Sequence, residues 1–80
     1  MNATQCKMAR AALGLGVRDL AKLANVAQAT VSRLERGEEL KETTLENIRT
    51  ALENAGVEFI AENGGGAGVR MKKGGRNGPN

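Results

Sequence analysis

The stretch at residues 20–37, LAKLANVAQATVSRLERG, contains two short segments with apolar residues at helical spacing, and Asn25 lies between them. Asparagine is one of the few residues besides glycine that tolerates the left-handed backbone conformation of a tight turn. The pattern therefore predicts two short helices that pack against each other. The residues expected to close their common core are Leu20, Ala24, Val26, Val31 and Leu34.

The rest of the chain favours further short helices around this pair. The sequence has 80 residues and one aromatic residue, Phe59, so the core must be small and built from Leu, Ile, Val, Ala and Met. The last helix is predicted to start at Thr43, where Thr43 and Glu46 fit a capping box, or nearer Leu40. We therefore predict a mainly α domain with helices at residues 5–13, 17–24, 27–36 and 43–55.

The pattern changes to β-strand after Gly56. VEFIA is rich in β-branched and aromatic residues, ENGGGAG is turn material, and VRM is predicted to form a returning strand. We expect a short hairpin, followed by a basic tail that has nothing to bury and is disordered. The predicted divisions are a helical domain at 1–56, a strand segment at 57–72 and a tail at 73–80.

The cysteine and histidine content excludes most enzyme chemistry. Cys6 is the single cysteine and histidine is absent, so neither a zinc finger nor a Cys–His or Ser–His–Asp centre can be assembled. We expect no catalytic residue, no metal and no cofactor. Cys6 lies among Ala and Met residues, which favours a buried thiol over a redox switch. Without a long apolar run or a signal peptide, we expect a cytoplasmic protein.

The formal charge of +3 is unevenly distributed. Residues 1–61 hold eight basic and eight acidic side chains, whereas residues 62–80 hold four basic side chains and Glu62. Because residues 1–61 have no net charge, they cannot attract nucleic acid through net charge alone. Binding of nucleic acid therefore requires basic side chains grouped on one face.

A family resemblance becomes specific at residues 15–37, LGVRDLAKLANVAQATVSRLERG. This stretch resembles the XRE family of phage-repressor and Cro-like DNA-binding domains, and the resemblance extends over about residues 5–52. It implies a helix-turn-helix with the small residue of its first helix at Ala21 and the turn residue at Asn25. The alternative is an ordinary helical hairpin, which also needs a small residue and a turn. The sequence departs from the family at Gly16, Val17 and Ala27.

The second helix of this motif has a polar face with the chemistry for reading bases. Gln can form two hydrogen bonds with adenine, Arg can do so with guanine, Ser can address either base, and a methyl group can contact thymine. The resemblance implies that this helix enters the major groove. A merely solvated polar face is the alternative, although it does not explain why the face carries no acid. The predicted base-contacting residues are Gln28, Ala29, Ser32 and Arg33.

Contacts with DNA phosphates are expected from residues near helix ends or at matching family positions. The candidates are Val17, Arg18, Thr30, Arg36, Lys41, Thr43 and Thr44. The resemblance also implies a structural ion pair between Arg10 of the first helix and Glu35 of the reading helix. Two separately solvated charges are the alternative.

The function these features favour is a sequence-specific transcriptional regulator that binds double-stranded DNA as a homodimer, a repressor or autoregulator reading a palindromic operator. The alternative is a protein-interaction module, such as an antitoxin or antiactivator, that binds a partner through its C-terminal strands. We expect those strands to form the dimer interface, since an isolated hairpin is marginal in water, with packing on their own domain as the alternative. The predicted dimerisation residues are Val57, Phe59, Ile60, Val69 and Met71.

Overall fold

A computed structural model describes residues 1–62 and 64–72 of the chain. The elements are α1 (Ala3–Leu13), α2 (Val17–Ala24), α3 (Gln28–Glu35), α4 (Glu42–Ala55), β1 (Val57–Ile60) and β2 (Gly68–Met71). The strands pair in an antiparallel two-stranded sheet. This confirms the predicted mainly α fold with a C-terminal hairpin. The tail predicted at 73–80 lies outside the described residues.

Three helix starts differ from the sequence prediction, and α3 begins at Gln28 because Ala27 is its N-cap residue. Helix α1 begins at Ala3 because Asn2 and Gln5 form a capping box, in which each side-chain oxygen accepts from the other residue's backbone N–H at 2.8 and 3.0 Å. The capping box predicted at Thr43 is wrong. Helix α4 begins one residue earlier, with Lys41 at the N-cap position and no capping bond from its side chain.

The turn between α2 and α3 has the geometry expected of a helix-turn-helix. Asn25 adopts the left-handed conformation at φ 58° and ψ 46°, and its backbone N–H bonds to carbonyl groups at the end of α2. Ala21 is buried, so its small side chain permits the close approach of neighbouring elements. The α-helices enclose one core, whose fully buried side chains include Leu20, Val31, Ile48 and Leu52.

The hairpin packs on the helices of its own chain. Side chains alternate along each strand, so Val57, Phe59, Val69 and Met71 share one face of the sheet, in the register Val57↔Met71 and Phe59↔Val69. Val57 is fully buried in the helical core, and Phe59 and Val69 pack against it. For these three residues the structure shows the alternative in which the strands pack on their own domain. Ile60 lies on the opposite face and is partly buried, while Met71 is exposed.

A buried glutamine fastens the hairpin to α1. The Gln5 side-chain nitrogen donates to the carbonyl oxygens of Ile60 and Gly68, at 3.1 and 3.0 Å, so one amide bridges both strands. On the other face of the sheet the exposed Arg70 donates to Glu58 at 2.6 Å across the strands. The fastened hairpin therefore presents a polar, charge-paired surface outward. None of the helices in residues 1–62 and 64–72 has the length and apolar character needed to cross a membrane.

Candidate nucleic-acid interface

Helix α3 buries one face and exposes the face predicted to read DNA. Val31 and Leu34 are buried against the other helices, which fixes the rotation of α3 about its axis. All four predicted base-contacting residues lie on its solvent side. Gln28, Ala29 and Arg33 are exposed and Ser32 is partly buried.

An ion pair fastens the C-terminal end of α3 to α1. Arg10 donates from Nη2 to Glu35 Oε1 at 2.8 Å and from Nε to Oε2 at 2.9 Å, a bidentate arrangement. Its remaining Nη1 donates to the Leu15 carbonyl oxygen at 3.2 Å. The hydrogen bonds from Arg10 hold the pKa of the Glu35 carboxyl below its usual range. The predicted pair between Arg10 and Glu35 is thus present, and it orients α3 relative to α1.

Cys6 completes this cluster. Its buried thiol donates to Glu35 Oε2 at 3.3 Å, so one carboxylate oxygen accepts from both the arginine and the cysteine. Burial, followed by the hydrogen bond to Glu35 and the negative charge there, raises the pKa of Cys6 to about 12. The residue is therefore a neutral thiol at neutral pH, as predicted for a buried cysteine.

An acidic side chain that sequence reasoning missed lies against Arg33 and Arg36 at the C-terminal end of α3. Glu38 lies within 3.5 Å of Arg33 Nε and 3.1 Å of Arg36 Nη2, and all three side chains are about half exposed or more. Helix α3 itself carries no acid on this face, but the chain turns back at Gly37, where φ is 92°. The only sequence signal for this contact is that Glu38 lies two residues after Arg36. The direction of the Glu38 side chain depends on the turn at Gly37 and cannot be read from the sequence.

The predicted phosphate-contacting residues occupy the starts of α2 and α4 and the two ends of α3. Arg18, Arg36, Lys41 and Thr43 are exposed. The others, Val17, Thr30 and Thr44, are partly buried. Arg36 is the C-cap residue of α3 rather than its last helical residue.

The start of α2 is a less favourable anion site than the sequence indicates. Gly16 is its N-cap residue and supplies no side chain, and the Asp19 carboxylate accepts from the Gly16 N–H at 2.8 Å. This carboxylate occupies one backbone donor and adds negative charge where a phosphate would bind. The Ala27 N-cap of α3 likewise supplies no side-chain hydrogen bond. Binding at these two helix starts therefore relies on free backbone N–H groups.

The left-handed turn at Asn25, the paired helices and the exposed polar face of α3 define a helix-turn-helix protein of the DNA-binding class. A family model described as helix-turn-helix matches residues 7–59, which is more than half of the chain. The chain therefore belongs to the XRE-type helix-turn-helix family, a family of DNA-binding regulators. A search of the curated proteins found no match.

Proposed function

We propose that this protein is a sequence-specific transcriptional regulator that reads double-stranded DNA through the exposed face of α3. The observation that carries the proposal is the placement of Gln28, Ala29, Ser32 and Arg33 on one solvent-facing side of a helix whose other side is fixed by Val31 and Leu34 in the core. A fixed helix with such a face can enter a major groove in a defined orientation.

Each side chain on this face has a distinct role in reading bases. Arg33 presents a planar guanidinium that suits bidentate binding to guanine, and Gln28, at the first position of α3, suits adenine. Ser32 adds a short hydroxyl that donates or accepts. The Ala29 methyl group has no hydrogen-bonding capacity and suits contact with a thymine methyl.

Phosphate contacts position the reading helix on the duplex. Lys41 at the start of α4 and Arg18 at the start of α2 are exposed cations at helix ends, and Thr43 supplies an exposed hydroxyl beside Lys41. Because residues 1–61 carry equal numbers of basic and acidic groups, affinity depends on where these cations lie rather than on net charge.

A homodimer provides the second half-site that a useful operator requires. One helix-turn-helix reads a few base pairs, and two copies meet successive major grooves when their reading helices are about 34 Å apart. The sheet has two strands, so each strand has an edge with no partner strand within the described part of the chain. Among residues 1–62 and 64–72, Met71 at the end of β2 is one of two large apolar side chains that are more than half exposed. We place the interface at the sheet edge and Met71, and propose repression by occupation of a palindromic operator.

The two exposed apolar residues provide a matched test of the dimer. We expect sedimentation equilibrium of the full chain to show a dimer, Met71→Glu to weaken it at least tenfold, and Leu23→Glu in α2 to leave it unchanged. Both substitutions place the same charge at a site that is 52 or 55% exposed, so neither disturbs the core. Loss of the dimer in Leu23→Glu alone would place the interface on the helices, and a monomeric parent chain would remove the dimer from the proposal.

The function itself is tested by selecting bound sequences from a random pool of duplex DNA with the full chain. We expect enrichment of a two-fold symmetric site with guanine or adenine at the positions that α3 contacts. Recovery of no enriched sequence would contradict sequence-specific binding and would favour the protein-interaction alternative.

A further inference from the structure

The carboxylate of Glu38 is shared between both arginines of the reading face. Its Oε1 lies 3.5 Å from Arg33 Nε and its Oε2 lies 3.1 Å from Arg36 Nη2, so each oxygen faces one guanidinium. The backbone holds this acid in place, because the Glu38 N–H donates to the Arg33 carbonyl oxygen at 3.1 Å. Glu38 is therefore anchored to the end of α3 by the main chain as well as by its side chain.

Stability of the helix does not account for an acid at this position. A negative charge at a helix C-terminus is unfavourable because the last carbonyl groups carry partial negative charge. The exposed ion pairs of Glu38 with Arg33 and Arg36 add little stability and offset only a small part of this unfavourable interaction. An acid beside the DNA-reading face also repels phosphates, which opposes binding of any DNA. The position of Glu38 thus disfavours both folding and general affinity, which points to a role in discrimination.

The atoms used in these contacts differ between the two arginines. Arg33 faces Glu38 through Nε, and within residues 1–62 and 64–72 neither of its terminal nitrogens forms a hydrogen bond. Those two nitrogens remain available for the O6 and N7 atoms of guanine. Arg36 instead donates through Nη2, so a phosphate that approaches this end of the guanidinium must compete with a carboxylate.

We propose that Glu38 is a specificity-determining residue that positions Arg33 for guanine and withholds Arg36 from DNA phosphates. This inference rests on the proposed function of α3 as the reading helix. An ion pair that biases the Arg33 side chain before binding reduces the conformational freedom lost on contact, so Arg33 binds more tightly where guanine is present. Arbitrary DNA offers no such contact and meets only the repulsion of the carboxylate.

The test compares Glu38→Gln with Glu39→Gln in the full chain. Both substitutions remove one negative charge from neighbouring exposed residues, but Glu39 forms no ion pair within the described part of the chain. The Kd is measured for the selected site, for that site with the guanine opposite Arg33 replaced, and for scrambled DNA, at several salt concentrations. The same substitution of Glu38 is also made in the Arg33→Ala background.

We expect Glu38→Gln to lower discrimination at that guanine by about threefold to tenfold and to steepen the salt dependence by about one ion, because Arg36 becomes free to bind phosphate. Glu39→Gln should change the affinities for all three DNAs by one common factor, and Glu38→Gln should not alter discrimination once Arg33 is absent. Equal effects of the two glutamine variants would overturn the inference and leave the proposed function intact. A parent chain that selects no DNA sequence would overturn both.

Discussion

Replacement of Arg10 by methionine tests whether the ion pair between α1 and α3 holds the reading helix in place. The substitution removes two hydrogen bonds to Glu35 and one to the Leu15 carbonyl oxygen. It leaves the Glu35 carboxylate, whose side chain is 9% exposed, with the Cys6 thiol as its remaining side-chain donor among the described residues. A buried charge without its partner is strongly destabilising.

The expected cost follows from this burial. Removing one partner of a fully buried ion pair typically lowers the free energy of unfolding by about 3 to 5 kcal/mol, and because the Arg10 side chain is 23% exposed we expect a cost near the lower end of that range. The exposed pair between Arg70 and Glu58 is a control, since its side chains are 68 and 43% exposed and such pairs contribute about 1 kcal/mol or less. We therefore expect Arg10→Met to be several times more destabilising than Arg70→Met. Adding Glu35→Gln to Arg10→Met should restore part of the loss.

The pH dependence distinguishes this mechanism from a loss of packing. Pairing lowers the pKa of Glu35 in the folded protein below its usual value of 4.5, so the pair stabilises fully above that value and the stabilisation disappears as pH falls through the folded pKa. Acidification also removes the unpaired charge in Arg10→Met, so the difference between parent and variant should shrink between pH 7 and pH 4. Urea unfolding followed by circular dichroism at pH 7 and pH 4 measures this difference in the free energy of unfolding. A cost below about 1 kcal/mol, or one that is the same at both pH values, would refute the reasoning.

Three further predictions concern the geometry that supports the site. Ala21→Leu should overpack the buried approach of the helices and cost about 1 to 3 kcal/mol in urea unfolding, and a variant that unfolded like the parent but lost DNA binding would assign Ala21 to the interface. Asn25→Val should cost about 1 to 2 kcal/mol, since a branched side chain is strained at φ 58°, and unchanged stability would contradict that strain. Gln5→Leu removes both hydrogen bonds to the strands and should cost about 1 to 3 kcal/mol. Amide hydrogen exchange should then become faster in β1 and β2 than in α2, and an equal increase in all elements would argue against a bridge by Gln5.

Periodicity predicted the helices well because the core of this chain is simple. Apolar residues at helical spacing placed α2 without error, and the β-branched run after Gly56 placed the hairpin within one residue at each strand end. Local capping motifs were less informative. Asn2 and Gln5 have the spacing of a capping box and form one, whereas Thr43 and Glu46 have it too and do not. Both Leu40 and Leu45 pack against the core, so tertiary contacts fix the start of α4.

The reading face was predictable, but its electrostatics were not. Once Val31 and Leu34 are assigned to the core, helical geometry determines which residues of α3 face solvent. Glu38 lies beyond the end of that helix, and its direction depends on the backbone turn at Gly37. The apolar residues of the first strand indicated that Val57 and Phe59 are buried. They did not indicate that the helices of the same chain bury them. Sequence patterns thus identify the side chains that are buried, but they do not identify the surface against which those side chains pack.

The central claim is that α3 reads bases while cations at other helix ends supply general affinity. The most direct measurement is titration of Arg33→Ala and Lys41→Ala against the selected site and scrambled DNA at several salt concentrations. We expect Arg33→Ala to lose about 1 to 3 kcal/mol on the selected site with little change on scrambled DNA. Lys41→Ala should weaken both equally and lower the salt slope by about one. Equal losses on both DNAs for Arg33→Ala would contradict its role in reading sequence.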